Sequence, residues 1–347
     1  MAANNEWVRL SPYLCHMNTW IETESNINSM ASLRTPFFFA FDFDGHDAFA
    51  LPLSQIDPEH FLFNIAGITN ATNASKNITR HIRFEHKVLD QKVYRTAFDK
   101  VMYHLQRGDS YLLNLTFPVE INTNLGAREI FQRSNAPYKL WLRDRFVVFS
   151  PESFITISNN QIHTFPMKGT ISAHQPDAER LLLSNSKELA EHYTIVDLMR
   201  NDLSMVATKV RVERFRYVDA IQTLNGKLLQ TSSHITGILP NDWHCHLGSL
   251  LIKLLPAGSV SGAPKKRTTE IIREAEMGNR GFYTGVMGLF DGRNLYSAVM
   301  IRFIEQKGNQ MLFRAGGGIT VNSNWLDEYN ELLQKIVLPF GNQTEVR

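Results

Sequence analysis

Residues 139–165 read Lys139-Leu-Trp-Leu-Arg-Asp-Arg-Phe-Val-Val-Phe-Ser150-Pro-Glu-Ser-Phe-Ile-Thr-Ile-Ser-Asn-Asn160-Gln-Ile-His-Thr-Phe165. Short apolar runs rich in β-branched and aromatic residues are divided here by turn signals such as Asn159-Asn160, the pattern of consecutive antiparallel strands. Upstream, Pro36-Phe-Phe-Phe-Ala-Phe-Asp-Phe-Asp44 followed by Gly45 predicts a buried strand entering a tight turn, with 48–52 returning. An Asn-rich loop is predicted at 70–77, and 110–120 alternates like a strand. Further strands are predicted over 282–290, 295–303 and 311–314. Tyr94, Phe98, Val101, Met102 and Leu105 recur at helical spacing up to Gly108, and helices are predicted from Ser186 to about 205 and over 243–255. Pro264 stands where a first-turn proline belongs and opens a helix to about 276; a last helix runs from about 324 to 337. Strands come in runs rather than one for one with helices, so an α+β fold with large antiparallel sheets is expected instead of a doubly wound one. No internal repeat or clear linker divides the chain.

A chain of 347 residues with 43% hydrophobic content can bury a large core. Lys+Arg 36 against Asp+Glu 34 gives a formal charge of +2 with no basic block, which argues against nucleic acid and for small-molecule chemistry. Cys15 and Cys245 are widely spaced and in no metal-type pattern, as expected in a reducing compartment without a structural bridge. Residues 1–20 lack an apolar signal core and no stretch is long enough to span a bilayer, so the expectation is a soluble, cytosolic protein without membrane contact.

The segment Phe165-Pro-Met-Lys-Gly-Thr170 places Lys168 between a predicted strand end and a Gly-Thr turn, where it is a candidate covalent nucleophile. Glu188 and Glu191 are three apart on one predicted helix, as are Glu328 and Glu331 on another, so each pair shares a helix face. Taken alone, such pairs are more often solvated faces; converging, they would suit a hard cation such as Mg²⁺. Pro256-Ala-Gly-Ser-Val-Ser-Gly-Ala-Pro-Lys265 is a flexible turn into a helix start that favours an anion, yet it lacks the P-loop spacing. Arg314-Ala-Gly-Gly-Gly-Ile319 reads as a connection from a strand to the helix carrying Glu328 and Glu331, with glycine allowing close backbone approach. Arg302, a charge within an apolar strand, needs a partner anion from protein or substrate.

Taken in order, these segments resemble the chorismate-utilising enzymes, above all their aminodeoxychorismate synthase component I branch. The resemblance covers roughly 84–340. It is carried by Gly108-Asp-Ser-Tyr-Leu-Leu-Asn-Leu-Thr116, Ser150-Pro-Glu-Ser-Phe154, Met167-Lys-Gly-Thr170, Lys187-Glu-Leu-Ala-Glu-His192, Val196-Asp-Leu-Met-Arg-Asn-Asp-Leu203, Gly258-Ser-Val-Ser-Gly-Ala-Pro-Lys265 and Arg280-Gly-Phe-Tyr-Thr-Gly285. It implies a single chorismate-binding domain over 1–347, with a shortened N-terminal part, 1–80, before a catalytic core, 84–340. That fold has two large antiparallel sheets flanked by helices around a central cleft.

The resemblance also implies roles. Glu191 and Glu331 would be direct Mg²⁺ ligands, supported by Glu188 and Glu328, with the metal holding a chorismate carboxylate. Tyr283, Arg302, Gly316 and Gly318 would hold the other carboxylate and the enolpyruvyl group, with Gly169 and Thr170 near the ring and Lys335 close to the metal site. Glu152 would protonate the departing ring hydroxyl, which requires burial to keep its pKa up. Anthranilate and isochorismate enzymes have Ala where Lys168 stands, whereas the aminodeoxychorismate branch has Lys. The lysine must be neutral to attack, and desolvation is the expected means of lowering its pKa.

Two further positions agree with this branch. Leu112 replaces the water-activating Lys of the isochorismate and salicylate enzymes, and Gln230 replaces the His of anthranilate synthases. His234, nearby but out of register, reads as structural. The expected reaction is chorismate plus ammonia to 4-amino-4-deoxychorismate, toward 4-aminobenzoate and folate. The resemblance implies a glutamine amidotransferase subunit as the source of ammonia, and Cys15 and Cys245 lack the elbow of a glutaminase nucleophile. The alternatives are anthranilate synthase component I or a noncatalytic chorismate-binding subunit. Departures from the family are Ile171-Ser-Ala-His174 after the Gly-Thr, Trp325 in place of Pro, and no segment of the kind that lines the family's tryptophan pocket.

Overall fold

Phe37-Phe38-Phe39-Ala40-Phe41 is buried at every position, which a strand achieves only when both its faces are covered. Side chains alternate in direction along a strand: Phe37, Phe39 and Phe41 enter one apolar cluster, and Phe38 and Ala40 another. The computed structural model describes residues 17–72, 81–223, 226–338 and 340. Cys15 and most of the predicted 70–77 loop lie outside them.

Among the described residues, two nine-stranded antiparallel sheets provide the two coverings. The first runs Met167–Ser172, Gly226–Ile238, Gln161–Thr164, Ser153–Ser158, Leu295–Val299, Val286–Phe290, Phe37–Phe41, Ala48–Pro52, with Thr208–Thr223 also paired to Gly226–Ile238. The second runs Gly262–Ala263, Leu112–Thr123, Gln310–Ile319, Phe303–Lys307, Phe146–Ser150, Tyr138–Leu142, Phe61–Ile65, Ile68–Thr69, with Phe84–His86 also on Leu112–Thr123. The 139–165 stretch supplies two strands to each sheet. Within it, Leu140, Leu142, Phe146 and Val148 face the inter-sheet core, while Trp141, Val147 and Phe149 turn outward. Outer helices close both flanks. Trp20–Ser32, Ser186–Ser204 and Leu247–Leu254 pack on the first sheet, and Gln91–Gln106, Ala127–Arg133, Lys265–Ala275 and Trp325–Gln334 on the second. The fold is therefore α+β, as expected. Among the described residues no helix is long and apolar enough to cross a membrane.

Three local expectations are corrected. The predicted strand over 295–303 is two strands in different sheets, Leu295–Val299 and Phe303–Lys307, because Arg302 takes a left-handed φ of 55° and turns the chain across the gap. The glycine-rich segment at 314–319 is no connector: it is the end of strand Gln310–Ile319, in register with Leu113 to Pro118 of the neighbouring strand. Lys168 belongs to the strand Met167–Ser172, with a bulge between Lys168 and Thr170 where Gly169 has φ +74°. A smaller shift is that Pro264 caps the Lys265–Ala275 helix from outside its first turn.

Candidate active site

Where the chain crosses between sheets, a cavity of ≈ 630 Å³ opens at their seam, and every predicted site residue borders it. The first sheet contributes Lys168, Gly169, Thr170 and Gln230; the second contributes Leu112, Asn114 and the glycines 316–318. Arg302 comes from the crossing. On the helix Ser186–Ser204, Glu188, Glu191, Ile195 and Met199 recur at intervals of three and four and form one stripe facing the cavity. Glu328 and Glu331 do the same on Trp325–Gln334, followed by Lys335.

Lys168 Nζ lies 3.0 Å from Glu191 Oε2. A methyl group built on Gly318 would stand 3.8 Å from this amine and 3.2 Å from Leu112 Cδ1, so the glycine keeps open the approach to the lysine. Burial pushes the Lys168 amine down, but Glu191, with Glu188 and Glu331, more than reverses this and leaves it above the ordinary lysine value. The expectation that desolvation alone would make Lys168 neutral is corrected: the carboxylates around it win. Thr231 donates its hydroxyl to the Lys168 carbonyl and fixes the bulge.

Glu152 meets its requirement. Burial holds its carboxyl above the usual range, against the hydrogen bond from Ser259 and the fields of Lys168 and Lys335, which lower it. Its main chain is anchored on both sides, Glu152 N donating to Ser150 Oγ at 3.1 Å and Val299 N to Glu152 O at 3.2 Å. Tyr283 is buried, which pushes its hydroxyl up to about 12, so it enters the cavity as a neutral donor. Arg302 donates to the carbonyl of Lys335 at 2.6 Å, and among the described residues no carboxylate pairs with it. Burial pushes the pKa of its guanidinium down, against the fields of Tyr283 and Glu331, which raise it.

The four glutamates divide into two banks. A methyl on Gly169 would lie 3.1 Å from Glu188 Oε2, and one on Gly317 would lie 3.6 Å from Glu328 Oε2 and 3.9 Å from Glu331 Oε1. Glu331 pairs with Lys335 at 2.7 Å, whose amine also donates to Gly316 O at 2.9 Å, and Glu328 accepts from Ser323 at 2.8 Å. Among the described residues no three acidic or histidine side chains are gathered into a ready-made cage. The donor set nonetheless suits Mg²⁺, which takes oxygen ligands, uses only one or two protein carboxylates and completes its shell with waters and an anionic ligand.

Residues without a forecast role also border the cavity. Asn114 shares a strand face with Leu112, and Ser259 donates to Glu152 Oε1 at 2.5 Å. Beneath them, Arg280 is buried against Glu276. Their signals were present in the phrases 108–116, 258–265 and 280–285, but nothing in spacing distinguished them from their neighbours. His234 pairs with His163 at 3.1 Å on the first sheet and is not part of the cavity lining.

Residues 40–339 match the chorismate binding enzyme family. The chain belongs to that family, which makes chorismate its ligand. It is 52% identical over 317 residues to an uncharacterized PabA-like protein of Haemophilus influenzae, covering 90% of this chain and 94% of that one. It is 33% identical over 264 residues to aminodeoxychorismate synthase component 1 of Escherichia coli, covering 72% of this chain but 57% of the relative, so it spans little more than half of that protein. Among solved structures, anthranilate synthase component I of Streptococcus pneumoniae matches with a TM-score of 0.62 and 26% identity over 74% of this chain and 59% of that one. The menaquinone-specific isochorismate synthase of Escherichia coli matches with a TM-score of 0.69 over 92% of this chain and 82% of the other; at 16% identity it speaks for the fold alone.

Proposed function

We propose that this chain converts chorismate and ammonia to 4-amino-4-deoxychorismate, with Lys168 bonding transiently to the ring. The observation that carries this reading is the Lys168 amine inside the cavity, held by Glu191 beside the open face of Gly318, with apolar Leu112 next to it. The likeness to aminodeoxychorismate synthase component 1 supports it. A cation held by Glu188, Glu191, Glu328 and Glu331 would neutralise one substrate carboxylate. Arg302 and Tyr283 would receive the other and the enolpyruvyl group, with Lys335 adding positive charge.

The resting ion pair with Glu191 keeps Lys168 protonated, so attack requires its proton to pass to solvent, and engaging Glu191 in cation binding would weaken the pair that holds that proton. The neutral amine then bonds to ring C2, both ring double bonds shift, one to C1–C6 and the other to C4–C5, and the C4–oxygen bond breaks as Glu152 gives its proton to the departing hydroxyl, which leaves as water. Ammonia bonds to C4, the electrons return, and the C2–nitrogen bond to Lys168 breaks. The proton lost from the new C4 amine balances the one Glu152 gave up. Leu112 cannot act as a base, so water gains no activation at that position. The relatives' designation as component 1 supports a second component, which we assign as a glutamine amidotransferase supplying ammonia in a folate-directed pathway.

The test is product identity. With chorismate, an ammonium salt and Mg²⁺, mass spectrometry of the products should find 4-amino-4-deoxychorismate; anthranilate or isochorismate would overturn the assignment. A pH profile tests the acid. Glu152 works only while protonated, so turnover should fall as pH rises through its elevated pKa. Glu152→Gln should erase that limb and lower kcat by about 10²–10⁴-fold.

A further inference from the structure

The loop at 256–262 borders the cavity and presents one hydroxyl to Glu152, and it is pinned from several directions. Ser261 Oγ donates to Ala257 O at 2.8 Å, Arg280 Nη1 to Val260 O at 2.9 Å, and Asn114 N to Ser261 O at 3.1 Å. At its flank, Lys265 Nζ lies 2.8 Å from Asp202 Oδ2 and donates to Leu254 O at 2.7 Å. A Cβ on Gly258 would meet Asp202 and Leu198 at 3.0 Å, so this turn sits directly on the Ser186–Ser204 helix. Glu152 is anchored through its own backbone, so neither partner of the 2.5 Å Ser259–Glu152 contact is free to drift.

A carboxylic acid carries its proton on one oxygen, and an oxygen already accepting from a hydroxyl is the poorer place for it. We propose that Ser259 is a positioning residue for the proton donor: by donating to Glu152 Oε1 it confines the acidic proton to Oε2 and fixes the direction of its delivery. This rests on the reading of Glu152 as the acid. The charged groups whose fields reach Glu152 are Lys168, from the strand Met167–Ser172, and Lys335, after the helix Trp325–Gln334. Glu188, Glu191, Glu328, Glu331, Tyr283, Arg302 and Arg314 border the same cavity. None of these is altered by a change at Ser259.

Ser259→Ala should lower kcat roughly tenfold with the chorismate KM within about twofold, because proton delivery is misdirected while binding groups stay in place. Loss of a donor to the ionised form should also move the alkaline limb of the kcat profile up by about one pH unit. Ser259→Thr, which keeps the hydroxyl, should restore both. If Ser259→Ala loses its fold, Ser259→Cys, with its weaker donor, should show the same limb shift. An unchanged kcat and limb in the alanine variant, or failure of threonine to restore them, would overturn the proposal. Glu152→Gln assayed in parallel separates the two ideas: parent-level turnover there sinks the acid reading and this inference with it. An inactive Glu152→Gln beside a parent-like Ser259→Ala sinks the inference alone.

Discussion

Lys168→Ala should reduce formation of 4-amino-4-deoxychorismate at least about a hundredfold, because the covalent route loses its nucleophile. Arg302, Tyr283, Lys335 and the glutamates remain, so chorismate should still bind. The loss should therefore appear in kcat more than in KM. Glu191, mostly buried, would lose the cation 3.0 Å away. A denaturant midpoint measured on the variant therefore separates any loss of stability from the catalytic loss. A second readout is the intact mass of the parent protein treated with chorismate without ammonia. It should show an adduct of chorismate less water, and the alanine variant should not. Parent-like turnover in Lys168→Ala would remove the covalent step from the mechanism. A parent chain that binds chorismate yet turns over none, with ammonia supplied, would instead favour a noncatalytic role.

The largest effect on stability is expected at Arg280. Its guanidinium is 1% exposed and forms a fork with Glu276, 2.6 Å and 2.9 Å from the two carboxylate oxygens. It also donates to the carbonyls of Val260 and Asn114 and lies over the Phe43 ring at 4.3 Å. Glu276 in turn accepts from Thr116 N at 2.8 Å. One ion pair thus ties together the long strand Leu112–Thr123, the loop that carries Ser259 and the end of the helix Lys265–Ala275. Arg280→Leu leaves a buried carboxylate and two buried carbonyls without their partner, and should cost about 3–5 kcal/mol. A lowered denaturant midpoint with an unchanged slope would show this. Adding Glu276→Leu should recover part of the loss by removing the stranded charge, though Val260 O, Asn114 O and Thr116 N would still lack partners. A midpoint unchanged by Arg280→Leu would mean that water reaches the site and replaces these contacts.

The sequence revealed elements more faithfully than it revealed their company. Phe37–Phe41 and the runs between 139 and 165 announce strands because β-branched and aromatic residues dominate them and turn residues separate them. Which sheet each strand joins is set by pairing across long separations, as with Gly318 opposite Asn114, and no local pattern carries that. The same limit explains the misread glycines at 316–318. Glycine disfavours a strand intrinsically, and only the partner strand accounts for its presence in one: a Cβ on Gly316 would stand 2.5 Å from Leu115 O, and one on Gly318 3.2 Å from Leu112 Cδ1. Met300 and Ile301 continue an apolar run that resumes at Phe303, so apart from the charge of Arg302 the pattern gives no sign that the chain changes sheets there. The cavity's composition was legible through the family resemblance. The protonation of Lys168 was not, because it depends on how closely Glu191, Glu188 and Glu331 approach one amine.

The helix bearing Glu188 and Glu191 rests on the first sheet, and the helix bearing Glu328 and Glu331 rests on the second. Whatever the two banks of carboxylates grip together is therefore a bolt across the seam, and its grip is resisted by the stiffness of the whole sandwich rather than by any single loop. Occupancy of the cavity and cohesion of the two sheets would then be one mechanical quantity: a ligand spanning both banks would draw the halves together, and a substitution deep in the inter-sheet core, far from any substrate atom, would loosen the hold on it.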